Sequence, residues 1–174
     1  MVIQLNKKYY FYDNLDGQEQ TKSFVIVSLN ENKLTFDYEI YDDVIFAPYT
    51  NDNDDLFNHD VVEIFISFLG RRDEYYEYEL SPNGKRFFGL IKNPSLCSPK
   101  LKRIKPEFEQ SVTLTKFGYK ASITLNLDKD IYLDNILLNC FYVDSSGTDV
   151  GFYSINPTKN KSFHLSSYLC PLNK

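Results

Sequence analysis

Residues 60–68 read Asp60-Val61-Val62-Glu63-Ile64-Phe65-Ile66-Ser67-Phe68, and this stretch decides the fold class. A β-strand sends successive side chains to opposite faces. Val62, Ile64, Ile66 and Phe68 then form one inward apolar row, while Val61, Glu63, Phe65 and Ser67 form the other. After a connection through Gly70-Arg71-Arg72-Asp73 the same period returns over residues 75–80, where Tyr76, Tyr78 and Leu80 alternate with Tyr75, Glu77 and Glu79. Ser81-Pro82-Asn83-Gly84 carries turn chemistry: Pro82 presets φ, Asn83 tolerates the second central position, and Gly84 supplies the left-handed residue that restarts a strand over residues 85–91.

Upstream, residues 24–29 are almost continuously apolar, Asn30, Glu31 and Asn32 make a turn, and Leu34, Phe36, Tyr38 and Ile40 share one face of a returning strand. Residues 42–60 are irregular and acidic, with Pro48 and the run Asn51-Asp52-Asn53-Asp54-Asp55, which predicts a long functional or metal-binding loop. Residues 93–106, rich in Pro, Ser and Lys, read as a surface crossover. Val112 and Leu114 then pair across Phe117-Gly118 with Tyr119, Ala121, Ile123 and Leu125. Further strands are predicted over 136–143 and near 152–155, with the tail from Phe163 packed irregularly.

Long helical periodicity is absent. The pattern predicts an all-β chain, one antiparallel β-sandwich of immunoglobulin-like or jelly-roll type spanning residues 1–174, with Val62, Ile64, Ile66, Tyr76, Tyr78 and Ile123 in its core. The composition agrees. Hydrophobic residues make up 43% and charged residues 25% of 174, a balance that supports a packed core. The aromatic share is 14 Tyr and 14 Phe with no Trp, residues that fit a pleated surface.

A net charge of −5 opposes attraction to phosphate backbones, so nucleic acid is not an expected partner. Cys97, Cys140 and Cys170 lack zinc-site spacing and read as buried reduced thiols. Residues 1–12 hold no apolar run long enough for a membrane span or signal peptide, which makes a cytoplasmic location the expectation for the chain as it stands and membrane association unexpected.

Leu56-Phe57-Asn58-His59-Asp60-Val61-Val62-Glu63-Ile64-Phe65-Ile66 resembles the Trp, acidic residue, then Val-Glu-Ile-Phe strand of the family 9 carbohydrate-binding modules. Tyr75-Tyr76-Glu77-Tyr78-Glu79-Leu80-Ser81-Pro82-Asn83-Gly84 is similar to that family's next strand and its Asn-Pro-x-Gly turn. Gly118-Tyr119-Lys120-Ala121-Ser122-Ile123, Asn139-Cys140-Phe141-Tyr142, Tyr153-Ser154-Ile155-Asn156-Pro157-Thr158 and Phe163-His164 resemble later blocks, in order, from Thr21 to Leu172.

The resemblance implies a two-sheet sandwich that binds mono- or oligosaccharides, including plant polysaccharide chain ends, between aromatic side chains, with structural calcium. Phe57 and Ile155 stand where members carry stacking tryptophans. Tyr153 is the substitute on offer, although two residues from Ile155 it shares that residue's direction.

Sugar recognition needs a flat apolar face for C–H groups and convergent polar groups for hydroxyls. Phe57, Glu63, Arg86, Asn139 and Tyr153 are the candidates, with Lys85 competing with Arg86 for the basic position. Glu63 and Arg86 read equally well as a cross-strand ion pair. Glu77 and Glu79 read as solvated sheet-face charges, because residues two apart on one strand do not flank a glycosidic bond. His164 reads as packed and hydrogen-bonded, and His59 as part of a polar loop; neither belongs to a catalytic motif. For calcium, Asp42, Asp52, Asp54, Asp55 and Asp60 offer hard oxygen ligands, with a solvated acidic loop as the plain alternative. The leading expectation is non-catalytic carbohydrate binding. The alternatives are a degenerate relative that uses the fold for protein contact or another ligand and, more remotely, a glycoside hydrolase.

Overall fold

The computed structural model describes residues 1–18 and 22–173; Thr21, where the resemblance begins, lies outside them. Among the described residues, β1 (Ile3–Gln4), β2 (Lys8–Tyr10) and β3 (Tyr12–Asp13) are short, and β4 (Phe24–Asn30) with β5 (Lys33–Tyr41) forms the first long hairpin. The strands β6 (Val61–Ser67), β7 (Glu74–Leu80), β8 (Arg86–Lys92) and β9 (Lys100–Arg103) follow in succession. Another hairpin joins β10 (Glu109–Thr115) to β11 (Gly118–Asn126), and β12 (Leu137–Ser145), β13 (Val150–Ser154) and β14 (Cys170–Asn173) close the fold.

The smaller sheet is ordered β10-β11-β5-β4-β2, and the larger β1-β14-β12-β6-β7-β8-β9, with β13 joined to β12 and β3 to β13. Among the described residues, only β1 and β14 pair in parallel. This is the antiparallel sandwich that the alternation predicts. Local chemistry sets its hairpins: Asn30 pairs with Lys33 across Glu31, whose φ is 54°, and Leu80 pairs with Arg86 across a turn in which Gly84 takes φ 81°. Any side chain at Gly84 would have to adopt that left-handed backbone.

Between the sheets lies one core. Val62, Ile64, Ile66 and Leu80 from the larger sheet meet Val27, Phe36, Tyr38 and Ile123 from the smaller, all buried. Each such aliphatic side chain contributes about 1.5–3 kcal/mol. Tyr78 joins this core, but Tyr76 reaches only its edge and stays half-buried, stacking on Phe88 beside it.

The second face of β6 departs from expectation. Every residue of β6 is buried, because Val61 and Phe65 belong to a second apolar cluster with Leu56, Tyr75, Phe87, Ile91, Phe141, Val143, Phe163 and Leu169 on the outer face of the larger sheet. The chain that returns over this face around residues 49–56 and 163–169 covers it. Glu77 and Glu79 are therefore buried and not solvated, with exposures of 5% and 0%.

Three further expectations are corrected. Lys100-Leu101-Lys102-Arg103, within the expected irregular crossover, pairs with β8 as a short, charged edge strand of the kind that resists further pairing. The tail forms β14 against β12 and β1. Cys97 is exposed, whereas Cys140 and Cys170 are buried thiols.

Candidate functional site

A cavity of about 270 Å³ opens on the outer face of the larger sheet. Phe57, Phe87, Phe152, Phe163 and Leu101 contribute apolar walls, and Glu63, Glu77 and Glu79 line it from the strands beneath. The register explains this grouping. Glu63 sits directly opposite Glu79, Glu79 opposite Phe87, and Phe65 opposite Glu77, so all point to the same side of the sheet. Gly89, opposite Glu77, leaves the room: a Cβ there would come within 2.5 Å of Leu101 Cδ1 and 3.2 Å of Phe87 Cε1.

Like charges directly across a strand pair repel, and buried ones do so without water to screen them. Among the described residues, Glu63 Oε1 and both Glu79 oxygens accept no hydrogen bond from any donor. Glu79 does meet the Glu77 carboxyl, a contact that can be a hydrogen bond only while one of the two holds a proton. Burial raises Glu77 to about 7. Burial first, and then the charge of Glu77, raises Glu63 well above the usual carboxylate range; burial and the charges of Glu63 and Glu77 do the same to Glu79.

His164 lines the same cavity, stacks on Phe65 with ring centroids 4.9 Å apart, and places Nδ1 2.8 Å from the Tyr75 hydroxyl. Burial pushes its pKa down to about 4, so the imidazole is neutral near pH 7. The sequence reading of a packed, hydrogen-bonded histidine describes it correctly, yet it also borders the cavity.

Of the expected sugar-binding residues, the structure brings Phe57 and Glu63 together at the cavity. Phe57, on a single turn over Leu56–Asn58, is 44% exposed and free to receive a ring. Three others are placed elsewhere. Arg86 donates to Asp52 at 2.7 Å, which removes both the basic group from the site and the supposed pair with Glu63. Asn139 is fully buried, its Nδ2 donating to the Asn156 carbonyl and its Oδ1 accepting from the Cys140 amide. Tyr153 stacks on Tyr142 at 4.5 Å, against the inter-sheet core. Its neighbour Phe152, one residue off and on the opposite face, borders the cavity instead.

The expected metal ligands also divide. Asp52 holds Arg86, Asp54 accepts from the amides of Thr50 and Asn51, and Asp55 pairs with Arg103. Asp42 and Asp60 converge instead with Asp144 of β12, their carboxylate oxygens all within 4.8 Å of one another. Asp60 accepts from the amides of Phe46 and Ser145. Burial and the charges of Asp42 and Asp144 raise it to about 7, and burial with Asp42 and Asp43 raises Asp144 to about 6. Three hard, mutually repelling oxygen donors fit calcium, whose remaining ligands would be carbonyls or water.

No protein-family model matches this chain, and no curated protein sequence does. Solved structures do. A candidate carbohydrate-binding protein from Bacteroides uniformis superposes with a TM-score of 0.76 at 14% identity, over 94% of this chain and 85% of that one. A family 9 carbohydrate-binding module from Caldicellulosiruptor kristjanssonii, in complex with glucose, gives 0.66 at 14% identity over 95% and 84%. Such a module from the same organism with cellotriose gives 0.62 at 13% over 98% and 88%. At these identities the likeness establishes a shared β-sandwich fold.

Proposed function

We propose, from a fold shared with the family 9 carbohydrate-binding modules, that this chain is a non-catalytic sugar-binding module whose ligand enters the cavity beside Phe57. The observation that carries the reading is the combination of aromatic walls with unpartnered carboxyl oxygens in one concave site. The walls suit pyranose C–H faces, and the oxygens suit hydroxyl donors. The neighbours described as complexes with glucose and cellotriose support it.

The placement of the carboxyl groups favours binding over hydrolysis. Glu63, Glu77 and Glu79 arise from two adjacent strands on one side of the cavity. Hydrolysis with either stereochemical outcome requires carboxyl groups that flank the scissile bond.

Titration of glucose, cellobiose and cellotriose by NMR is expected to show weak binding to the wild type. Phe57→Ala is expected to reduce it by about 1–3 kcal/mol, taking aromatic stacking on bases as the guide. Binding unchanged in both Phe57→Ala and Glu63→Gln would remove the site from consideration. Release of reducing ends from cellotriose would overturn the non-catalytic part.

The same reading extends to structural calcium at Asp42, Asp60 and Asp144. Calcium at about a hundredfold excess over its Kd is expected to raise the melting temperature through roughly 2.7 kcal/mol of added stability, and Asp144→Asn to weaken that response. A melting temperature indifferent to calcium and chelator would exclude the site.

A further inference from the structure

We infer that the sugar this cavity prefers carries a protonated amine, a hexosamine with a free amino group, held by Glu63 and Glu79. The inference rests on the sugar-binding reading of the same cavity and narrows it to one chemical class.

Ionisable groups of one kind dominate the cavity floor. Three buried carboxyl groups line the cavity, and among the described residues none of them forms an ion pair with a basic side chain. Arg86 is held by Asp52, and Arg103, although its guanidinium lies 5.8 Å from the Phe87 ring centroid, is paired with Asp55. Lys161 lines the cavity but is itself exposed, and His164 is neutral. The polar floor of the cavity is made of carboxyl groups, with Lys161, Ser162 and His164 also in its lining.

The orphaned atoms strengthen the point. Glu63 Oε1, Glu79 Oε1 and Glu79 Oε2 are buried with no donor beyond the Glu77 carboxyl beside Glu79, and Glu63 faces Glu79 directly across the strand pair. An alkylammonium supplies three N–H donors and one positive charge to this set of three oxygens. A hydroxyl supplies one donor and no charge, so it offers these carboxyl groups no ion pair when they ionise. A buried acceptor left without a donor, as at Glu63 Oε1, costs stability in the free protein, a cost that a complementary ligand relieves.

Proton linkage follows. The carboxyls raised above their ordinary values hold protons in the free protein near neutrality, so a cationic ligand must displace protons to form ion pairs. The groups facing the site are Glu63 from β6, Tyr75, Glu77 and Glu79 from β7, and Lys161 and His164 at the rim. Asp55 and Tyr49 also lie within electrostatic reach of Glu79. Affinity for the amine is therefore expected to increase from pH 6 towards neutrality, until the ligand amine itself loses its proton.

The test compares glucosamine, glucose, N-acetylglucosamine and putrescine by isothermal titration calorimetry on the intact chain at pH 7, in two buffers of different ionisation enthalpy. Glucosamine is expected to bind at least about tenfold more tightly than glucose or N-acetylglucosamine, because charge-assisted hydrogen bonds are about twice as strong as neutral ones, and to release protons on binding. Acetylation removes the charge on a similar ring, so this comparison needs no variant. Glu79→Gln is expected to erase the difference between glucosamine and glucose. Glucose or N-acetylglucosamine binding as tightly as glucosamine would overturn the inference while leaving sugar binding intact. Putrescine binding as tightly as glucosamine would preserve cation selection and overturn the sugar reading; no binding by any of the four would overturn both.

Discussion

Between about pH 5.5 and pH 8 the melting temperature of the ligand-free, chelator-treated protein is expected to fall by on the order of 10 °C. A carboxyl whose folded pKa exceeds its unfolded value binds more protons in the native state. The stability it confers is complete below the unfolded value and is lost as pH rises through the folded one. Glu63, Glu77, Glu79, Asp60 and Asp144 all shift in this direction, chiefly through burial. Glu77 alone, raised to about 7, loses on the order of 2 kcal/mol between pH 5.5 and its folded value, at about 1.4 kcal/mol per pKa unit.

His164 opposes this trend. Held down to about 4, it contributes stability that is present above its unfolded value near 6.5 and is lost as pH falls through the folded value. It therefore offsets about one carboxyl below pH 6.5, and the others decide the sign. Glu109, kept low by its hydrogen bond to Lys33, loses its contribution only as pH falls below the ordinary glutamate range. Differential scanning fluorimetry across pH 5.5–8 checks the result, and Glu79→Gln is expected to give a shallower slope and a higher melting temperature than wild type at pH 8. A flat wild-type profile, or a Glu79→Gln profile parallel to it, would show that the carboxyls are not buried as described.

The strands were legible where their causes are local. The hairpin of β4 and β5 follows from alternation and from Asn30-Glu31-Asn32, and the turn before β8 follows from Pro82, Asn83 and Gly84. The outer face of the larger sheet was not, because its burial depends on distant chain. Glu63, Glu77 and Glu79 occupy non-core positions in the alternation, and once β6 and β7 are neighbours they must share a face. What the pattern cannot tell is whether that face meets water, and Leu56, Phe163 and Leu169 return from far along the chain to cover it.

The same parity rule carried an unused signal at the candidate site. If Tyr153 points with Ile155 into the sandwich, Phe152 points outward, and the structure puts Phe152 at the cavity and Tyr153 on Tyr142. The aspartates illustrate the opposite limit. Nothing in the spacing of residues 42–60 indicates that Asp52 and Asp55 are taken by Arg86 and Arg103, or that Asp144 completes the set with Asp42 and Asp60. Those pairings exist only once β8, β9 and β12 have been placed.

Asn14→Ala is expected to cost about 3–5 kcal/mol, among the larger effects of any single substitution. The side chain is fully buried where the chain leaves β3. Its Nδ2 donates to Thr158 Oγ1 at 2.8 Å and to the Asn160 carbonyl at 2.6 Å, and its Oδ1 accepts from Ser154 Oγ at 2.8 Å and the Thr158 amide at 2.9 Å. Alanine would strand buried partners on Ser154 and Thr158, which are 0% and 2% exposed, so the loss exceeds that of one surface hydrogen bond. The tethered segment runs from the end of β13 into Lys161, Ser162, Phe163 and His164, which border the cavity. Asn14→Ala should therefore lower the melting temperature by roughly 10 °C and speed amide exchange over residues 156–164 more than in β6 or β11. Asn14→Asp keeps the acceptor but places a buried carboxylate against the Asn160 carbonyl, so at pH 7 it should also destabilise. A loss below about 1 kcal/mol for Asn14→Ala, with exchange unchanged in that segment, would mean that the cavity wall is held by its apolar contacts alone.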